Sequence, residues 1–132
     1  MPALALAPET PSLVLETSER APARARHFIA ERFREIGMAD DFTGRLVVTE
    51  LVTNAYEHVG FGHIIVRAFP DAKAGLVVIE VCDEGAVLPV VRPEDHGAIG
   101  GRGLRLVAQL VHDWGVRPLD EGGKAVWARC GR

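Results

Sequence analysis

The chain has 132 residues, of which 48% are hydrophobic and 25% are charged. This length predicts one domain with its own core, and the composition is typical of a soluble globular protein. The formal net charge of −3 gives no reason to expect binding to nucleic acid or to an anionic membrane surface. No segment approaches the run of about 20 apolar residues that a membrane-spanning helix needs.

The two cysteines, Cys82 and Cys130, lack the spacing of a metal site. The N-terminal segment has no basic start and too short an apolar run for export, so we expect reduced thiols and a cytoplasmic location. Residues 1–11 are rich in alanine, leucine and proline and are predicted to form a disordered tail. Residues 12–132 are predicted to form the domain.

The domain is predicted to begin with a strand and a helix. The apolar segment 12–16 predicts a short strand at a sheet edge. Ser18 is expected to cap the helix that follows, and Gly37 is expected to end it. This helix is rich in arginine. Its basic surface is expected to be solvated, with a docking surface for an acidic protein as the alternative.

Asp40 and Asp41 are predicted to open the central helix, residues 46–60 carry its helical pattern, and Gly60 is expected to end it. Glu50, Asn54 and His58 lie four residues apart and therefore predict a polar line along one side. A carboxylate and an amide one turn apart could hold a divalent cation and the hydroxyl that it activates. A solvated polar flank gives the same pattern. Five apolar residues predict a separate core stripe: Val48, Leu51, Val52, Ala55 and Val59.

Two apolar segments, 63–69 and 76–82, predict an antiparallel hairpin whose second strand is central and buried. Asp83, Glu84 and Gly85 follow that strand directly. This sequence is either an ordinary turn or an acidic side chain held at the end of a buried strand.

Helical and strand periodicity disappear between residues 87 and 100, and loops of this length in compact domains are often lids. The segment Gly100-Gly101-Arg102-Gly103 then predicts a glycine-rich turn before a helix. Such a turn is either a phosphate-binding helix start or an ordinary flexible loop. The helix is predicted to bury one stripe: Leu104, Val107, Ala108 and Val111.

Segments 114–119 and 124–129 predict a second hairpin. Helices and hairpins in this order predict an α+β fold, a two-layer sandwich. Its sheet is expected to be mixed and mostly antiparallel, with four or five strands and helices on one face.

The order of four motifs resembles the Bergerat ATP-binding fold of gyrase, sensor histidine kinases and mismatch-repair ATPases. These motifs are Glu-x-x-x-Asn on a helix, Asp-x-Gly after a strand, a lid-like loop, and Gly-x-Gly-Leu at a helix. The single-domain length is similar to that of the anti-sigma-factor serine kinases and their small actinobacterial relatives. The resemblance covers residues 12–130.

The resemblance implies ATP and Mg²⁺ as cofactors. Asn54 would coordinate Mg²⁺, and Glu50 would orient or deprotonate the attacking hydroxyl, since phosphoryl transfer depends mostly on positioning and charge neutralisation. Asp83 would accept a hydrogen bond from the adenine amino group, and Gly85 would let the base approach the backbone. The phosphates would be held at the second glycine motif, which comprises Gly101, Arg102, Gly103 and Leu104.

Two positions depart from the family pattern. Val87 stands where a second glycine is common after the aspartate. Ala125 stands where relatives often have a threonine whose hydroxyl supports that aspartate, which would leave Asp83 dependent on another donor. We therefore expect weaker nucleotide binding on an unchanged fold.

The resemblance implies an ATP-dependent serine kinase of the anti-sigma type, which phosphorylates an antagonist protein and binds a sigma factor. The resemblance leaves open whether the protein forms a homodimer. The alternative is a non-catalytic docking module on the same fold.

Overall fold

The computed structural model describes residues 10–73, 75–85 and 99–131, without the side chains of residues 99–102. The predicted tail up to residue 9 and the predicted lid up to residue 98, with Val87, lie outside the described residues. The strands are β1 (Ser12–Glu16), β2 (His63–Pro70), β3 (Val77–Asp83), β4 (Asp113–Pro118) and β5 (Lys124–Cys130), and the helices are α1 (Ala21–Ile36), α2 (Phe42–Asn54), a π-helical turn (Ala55–Val59) and α3 (Ile99–Leu110).

The five strands form one sheet in the order β1-β2-β3-β5-β4. Both predicted hairpins are confirmed, since β2 pairs with β3 and β4 pairs with β5. β1 lies at the edge, as predicted. All the described pairings are antiparallel, where a mixed sheet was expected. The predicted α+β fold is confirmed.

The core lies between the sheet and the helices. α1 packs on β2, and α2 packs on β3 and β5. Alternate residues of a strand face opposite sides of the sheet, so one side of β2 and β3 supplies an apolar surface to the helices. Its fully buried residues are Ile64, Val66, Ala68, Val77, Ile79 and Val81.

The opposite side of the sheet carries charged residues around a buried carboxylate. Glu80, on β3, is 2% exposed and pairs with Arg67 at 3.2 Å and with Arg117 at 3.1 Å. Two guanidinium partners compensate for its desolvation. Ionic contacts therefore connect β2, β3 and β4 on the side that carries none of the predicted site residues.

The N-cap of α1 lies two residues after the predicted cap, Ser18. Arg20 occupies the N-cap position and makes no capping hydrogen bond with its side chain. The Ser18 hydroxyl instead accepts the N–H of Arg20 at 3.2 Å, so the serine forms a local turn before the helix. The end of the helix is as predicted, because Gly37 adopts a left-handed conformation with φ of 93°.

One of the α1 arginines is structural. The Nε and an Nη of Arg32 donate to the carbonyl of Ala68 on β2 at 3.1 and 2.7 Å. Arg32 also pairs with Glu35 at 3.0 Å. This side chain thus joins the helix to the sheet and is not part of a freely solvated basic face.

The predicted central helix changes its form near its end. Its α-helical part stops at Asn54, the chain continues as the π-helical turn, and Gly60 ends it with φ of 77°. The wider turn departs from the 3.6-residue period. Val59 is therefore only partly buried, although it was predicted on the core stripe, and His58 is exposed.

In α3, Leu104 and Val107 are buried, whereas the prediction for Ala108 is wrong because it is exposed. None of the helices described by the structure has the length and apolarity needed to cross a membrane.

The contact between α1 and α2 depends on a glycine. A Cβ built on Gly44 would lie 2.5 Å from the ring Cζ of Phe33, which is 1% exposed. Overpacking of this kind costs about 1–3 kcal/mol, while alanine gains about 1 kcal/mol of helix propensity over glycine.

We expect Gly44→Ala to lower the free energy of unfolding by up to about 2 kcal/mol in urea denaturation, because the clash outweighs the gain in propensity. In a Phe33→Leu background the ring is gone, so the same substitution should be neutral or stabilising. A loss of equal size in both backgrounds would contradict this contact.

Candidate functional site

The first cluster of predicted site residues lies where α2 meets α3. Glu50 and Asn54 are one turn apart on α2 and both are partly buried. Gly103 of α3 packs against them. A Cβ built on Gly103 would lie 2.5 Å from Glu50 Oε2 and 3.7 Å from Asn54 Oδ1. The fold therefore brings together three residues from two helices that are distant in the sequence.

The pKa of Glu50 is raised above the ordinary glutamate value of 4.5. Burial of the carboxylate is the larger cause, and the negative charge of Glu57 adds to it. Both favour the protonated form. A carboxylate with a raised pKa is a better proton acceptor than an ordinary glutamate, as general-base catalysis requires.

The second cluster lies at the ends of β3 and β5. Asp83 and Lys124 are directly paired across these strands, and each is 6% exposed. Lys124 Nζ lies 2.9 Å from Asp83 Oδ1, and the N–H of Gly85 donates to the same oxygen at 2.9 Å. Asp83 is thus held by a buried ion pair and a backbone amide, and leaving either charge there without a partner is costly.

Lys124 was missed by the sequence reasoning. The signal that could have found it is the alternation along β5, where the buried residues Val126, Ala128 and Cys130 share its side of the sheet. A lysine at such an inward position needs an acidic partner. Gly123, with φ of 85°, has its α-carbon beside the Asp83 carbonyl and brings the chain into β5 at this point.

The prediction that Ala125 deprives Asp83 of a hydrogen-bond donor is wrong. Ala125 pairs with Cys82, whose sulfur lies 3.9 Å from Glu80 Oε1. Position 125 is therefore on the opposite side of the sheet from the Asp83 carboxylate. The residue at position 124 faces Asp83, so the alanine deprives Asp83 of no donor.

Gly85 connects the second cluster to the central helix. A Cβ at Gly85 would lie 2.5 Å from Cγ2 of Val59, in the π-helical turn, and 3.2 Å from Lys124 Nζ. The end of β3 therefore packs directly on the end of the segment that carries Glu50 and Asn54. The two clusters are therefore connected by direct packing through α2 and the π-helical turn.

The second glycine motif does not form a turn before the helix, as was predicted. α3 begins at Ile99, so Gly101, Arg102 and Gly103 lie inside its first turns. Each glycine costs the helix up to about 1 kcal/mol relative to alanine, and at Gly103 the close approach to Glu50 explains why no side chain is present. The amide of Gly101 lies in the first turn, where N–H groups lack intrahelical partners, and Leu104 is 1% exposed in the core.

The chemistry of the first cluster suits a magnesium ion that arrives with phosphates. The described residues contain no group of three or more His, Cys, Asp or Glu side chains that could hold a metal. Mg²⁺ usually takes one or two protein oxygens and completes its shell with water and substrate phosphates. The Asn54 amide oxygen, with Glu50 beside it, fits that requirement.

We expect Glu50→Gln to stabilise the protein at pH 7 and to do so less at pH 4. Because the pKa is raised in the folded state, ionisation of Glu50 opposes folding; this cost is absent below about pH 4.5 and grows as the pH rises through the raised pKa. Urea denaturation at the two pH values measures the difference. Glu121→Gln, in an exposed turn, is the control, and an equal gain at both pH values would contradict the assignment.

Residues 15–130 match the sequence family described as the histidine kinase-like ATPase domain. No curated protein matches the chain. The family match runs from β1 to β5 and includes both clusters, and it agrees with the antiparallel five-stranded sheet and its helical layer. The chain therefore belongs to the family of histidine kinase-like ATPase domains.

Proposed function

We propose that this protein is an ATP-dependent serine kinase of the anti-sigma type, which phosphorylates an antagonist protein and binds a sigma factor. The observation that carries the proposal is the convergence of the Glu50 carboxylate and the Asn54 amide on Gly103. Membership of the family supports ATP as the nucleotide. The partner proteins come from the resemblance of the sequence to the small anti-sigma kinases.

Each cluster has a separate task in this proposal. Asn54 holds Mg²⁺, which neutralises phosphate charge when it is bound. Glu50 orients the serine hydroxyl and accepts its proton, for which its raised pKa is suited. The amide of Gly101 faces the phosphates, and Asp83 accepts a hydrogen bond from the adenine amino group.

A second candidate function is a docking module that regulates its partner without catalysis. The observation in its favour is the Asp83–Lys124 ion pair, which gives the buried aspartate a charged partner from within the chain. A module of this kind would bind its partner equally well with and without Mg-ATP, whereas a nucleotide-dependent complex would favour the kinase.

We expect Asn54→Ala to abolish Mg²⁺-dependent ATP binding in calorimetric titration, because it removes the amide that holds the ion. Glu50→Ala should bind Mg-ATP like the wild type but lose transfer of labelled phosphate to a co-purified serine-bearing antagonist. Glu121→Ala, an exposed acid in the turn between β4 and β5, is the matched control and should retain both. Unchanged transfer by Glu50→Ala would exclude Glu50 as the base.

We expect Gly103→Ala to reduce phosphate transfer by about 100-fold, because a misplacement of about 1 Å at a reacting group can have that effect. The new Cβ would collide with Glu50 Oε2 at 2.5 Å but only touch Asn54 Oδ1 at 3.7 Å, so the affinity for Mg-ATP should change by no more than about twofold. Gly131→Ala is the control, since among the described residues a Cβ there would come within 4 Å only of Leu76, at 3.7 Å. An equal loss of binding and transfer would argue against a specific displacement of Glu50.

A further inference from the structure

Lys124 places a buried ammonium group beside the predicted adenine-binding aspartate. Its side chain is 7% exposed and that of Asp83 is 4% exposed. A Cβ at Gly85 would lie 3.2 Å from Nζ, so the ammonium lies beside the residue whose missing side chain is expected to admit the base. Lys124 is therefore at the predicted base-binding end of the site.

Among the residues that the structure describes, the hydrogen bonds at this position leave one acceptor and several donors unused. Both donors to Asp83, the Gly85 N–H and the Lys124 ammonium, go to Oδ1. Within the described part of the chain, Oδ2 accepts no hydrogen bond and Nζ donates only the one. An ammonium has three N–H donors and a carboxylate oxygen has two lone pairs. With respect to the described residues, the pair therefore presents a free acceptor next to free donors.

We propose that Lys124 is a specificity-determining residue that donates a hydrogen bond to N1 of adenine while Asp83 Oδ2 accepts one from the exocyclic amino group. This inference rests on the proposed nucleotide-binding function. Adenine presents a donor at position 6 next to an acceptor at position 1, which complements the free acceptor and donor of the pair. Guanine presents an acceptor at position 6 and a donor at position 1, so both contacts would be repulsive.

The ion pair supports base recognition and does not compete with it. Lys124 and Gly85 occupy Oδ1, so the base needs only Oδ2 and displaces neither donor. The ammonium also fixes the orientation of the carboxylate before the base arrives, which lowers the cost of ordering on binding. A site built to hydrogen-bond a substrate atom rejects the analogue that lacks it, because its buried polar group then has no partner.

The test compares ATP with two analogues by calorimetric titration of the full chain with Mg²⁺. 1-Deaza-ATP replaces the N1 acceptor with C–H, whereas 7-deaza-ATP keeps N1 and controls for the altered ring. We expect the wild type to bind ATP and 7-deaza-ATP alike and 1-deaza-ATP about tenfold more weakly or worse, as for loss of a hydrogen bond to a charged donor.

Lys124→Met keeps the apolar length of the side chain and removes the donor, so it should bind ATP as weakly as 1-deaza-ATP and lose the discrimination between them. Lys73→Met, an exposed lysine in a turn, should behave as the wild type. If Lys124→Met fails to fold, the wild-type analogue series still decides, because it changes no residue of the protein.

The outcomes separate the two proposals. Equal affinity of the wild type for ATP and 1-deaza-ATP, discrimination retained in Lys124→Met, or tighter ATP binding by that variant would each overturn the role of Lys124 and leave ATP binding intact. No binding of any of the three nucleotides by the wild type would overturn the proposed function and this inference together.

Discussion

The pairing of β3 with β5 is the constraint on which the rest of the site depends. These strands are adjacent in the sheet, yet the chain between them includes α3 and β4. The connection passes through a helix that packs on α2, which brings Gly103 against Glu50. The same pairing sets Lys124 opposite Asp83, a residue 41 positions earlier. One strand register therefore positions residues in both clusters.

The two clusters contribute differently to the stability of the domain. Asp83 and Lys124 are buried as a matched pair with an additional amide donor, so their charges compensate each other and fix the strand ends. Glu50 is partly buried near another carboxylate, Glu57, and its pKa rises as a result. Placing a charged group in an unfavourable environment is a common cost of function, and it is the cost that the proposed role of Glu50 would explain. In this domain the electrostatic cost falls on the α2 cluster, whereas the two charges at the sheet end are paired.

Local patterns in the sequence predict those features that depend on neighbouring residues. The alternation in β2, the apolar run of β3 and the left-handed glycines Gly37 and Gly60 follow from spacing and backbone sterics. The proximity of Glu50 and Asn54 follows from the helical period alone. These features set the layers of the fold and one half of the site.

Features that depend on tertiary contacts were missed or misplaced. The start of α3 was placed too late because glycine disfavours helices, whereas packing against Glu50 requires a glycine within this one. Lys124 went unnoticed because its partner is distant in the chain, and Ala125 was assigned its position relative to Asp83 without knowledge of the strand register. A one-residue difference in register moves a side chain to the other face of a sheet.

The π-helical turn at Ala55–Val59 has a consequence for how the chain can change in length. A π-turn holds one residue more than the α-helical turn that it replaces, and it lies after Glu50 and Asn54 but includes Val59, which contacts Gly85. Relatives that lost one residue here would regain a plain helix and keep the spacing of the carboxylate and amide. Their packing against the end of β3 would have to be rebuilt with different side chains. Insertions and deletions at this point would therefore alter the proposed base-binding end of the site and leave the proposed phosphate-binding end unchanged.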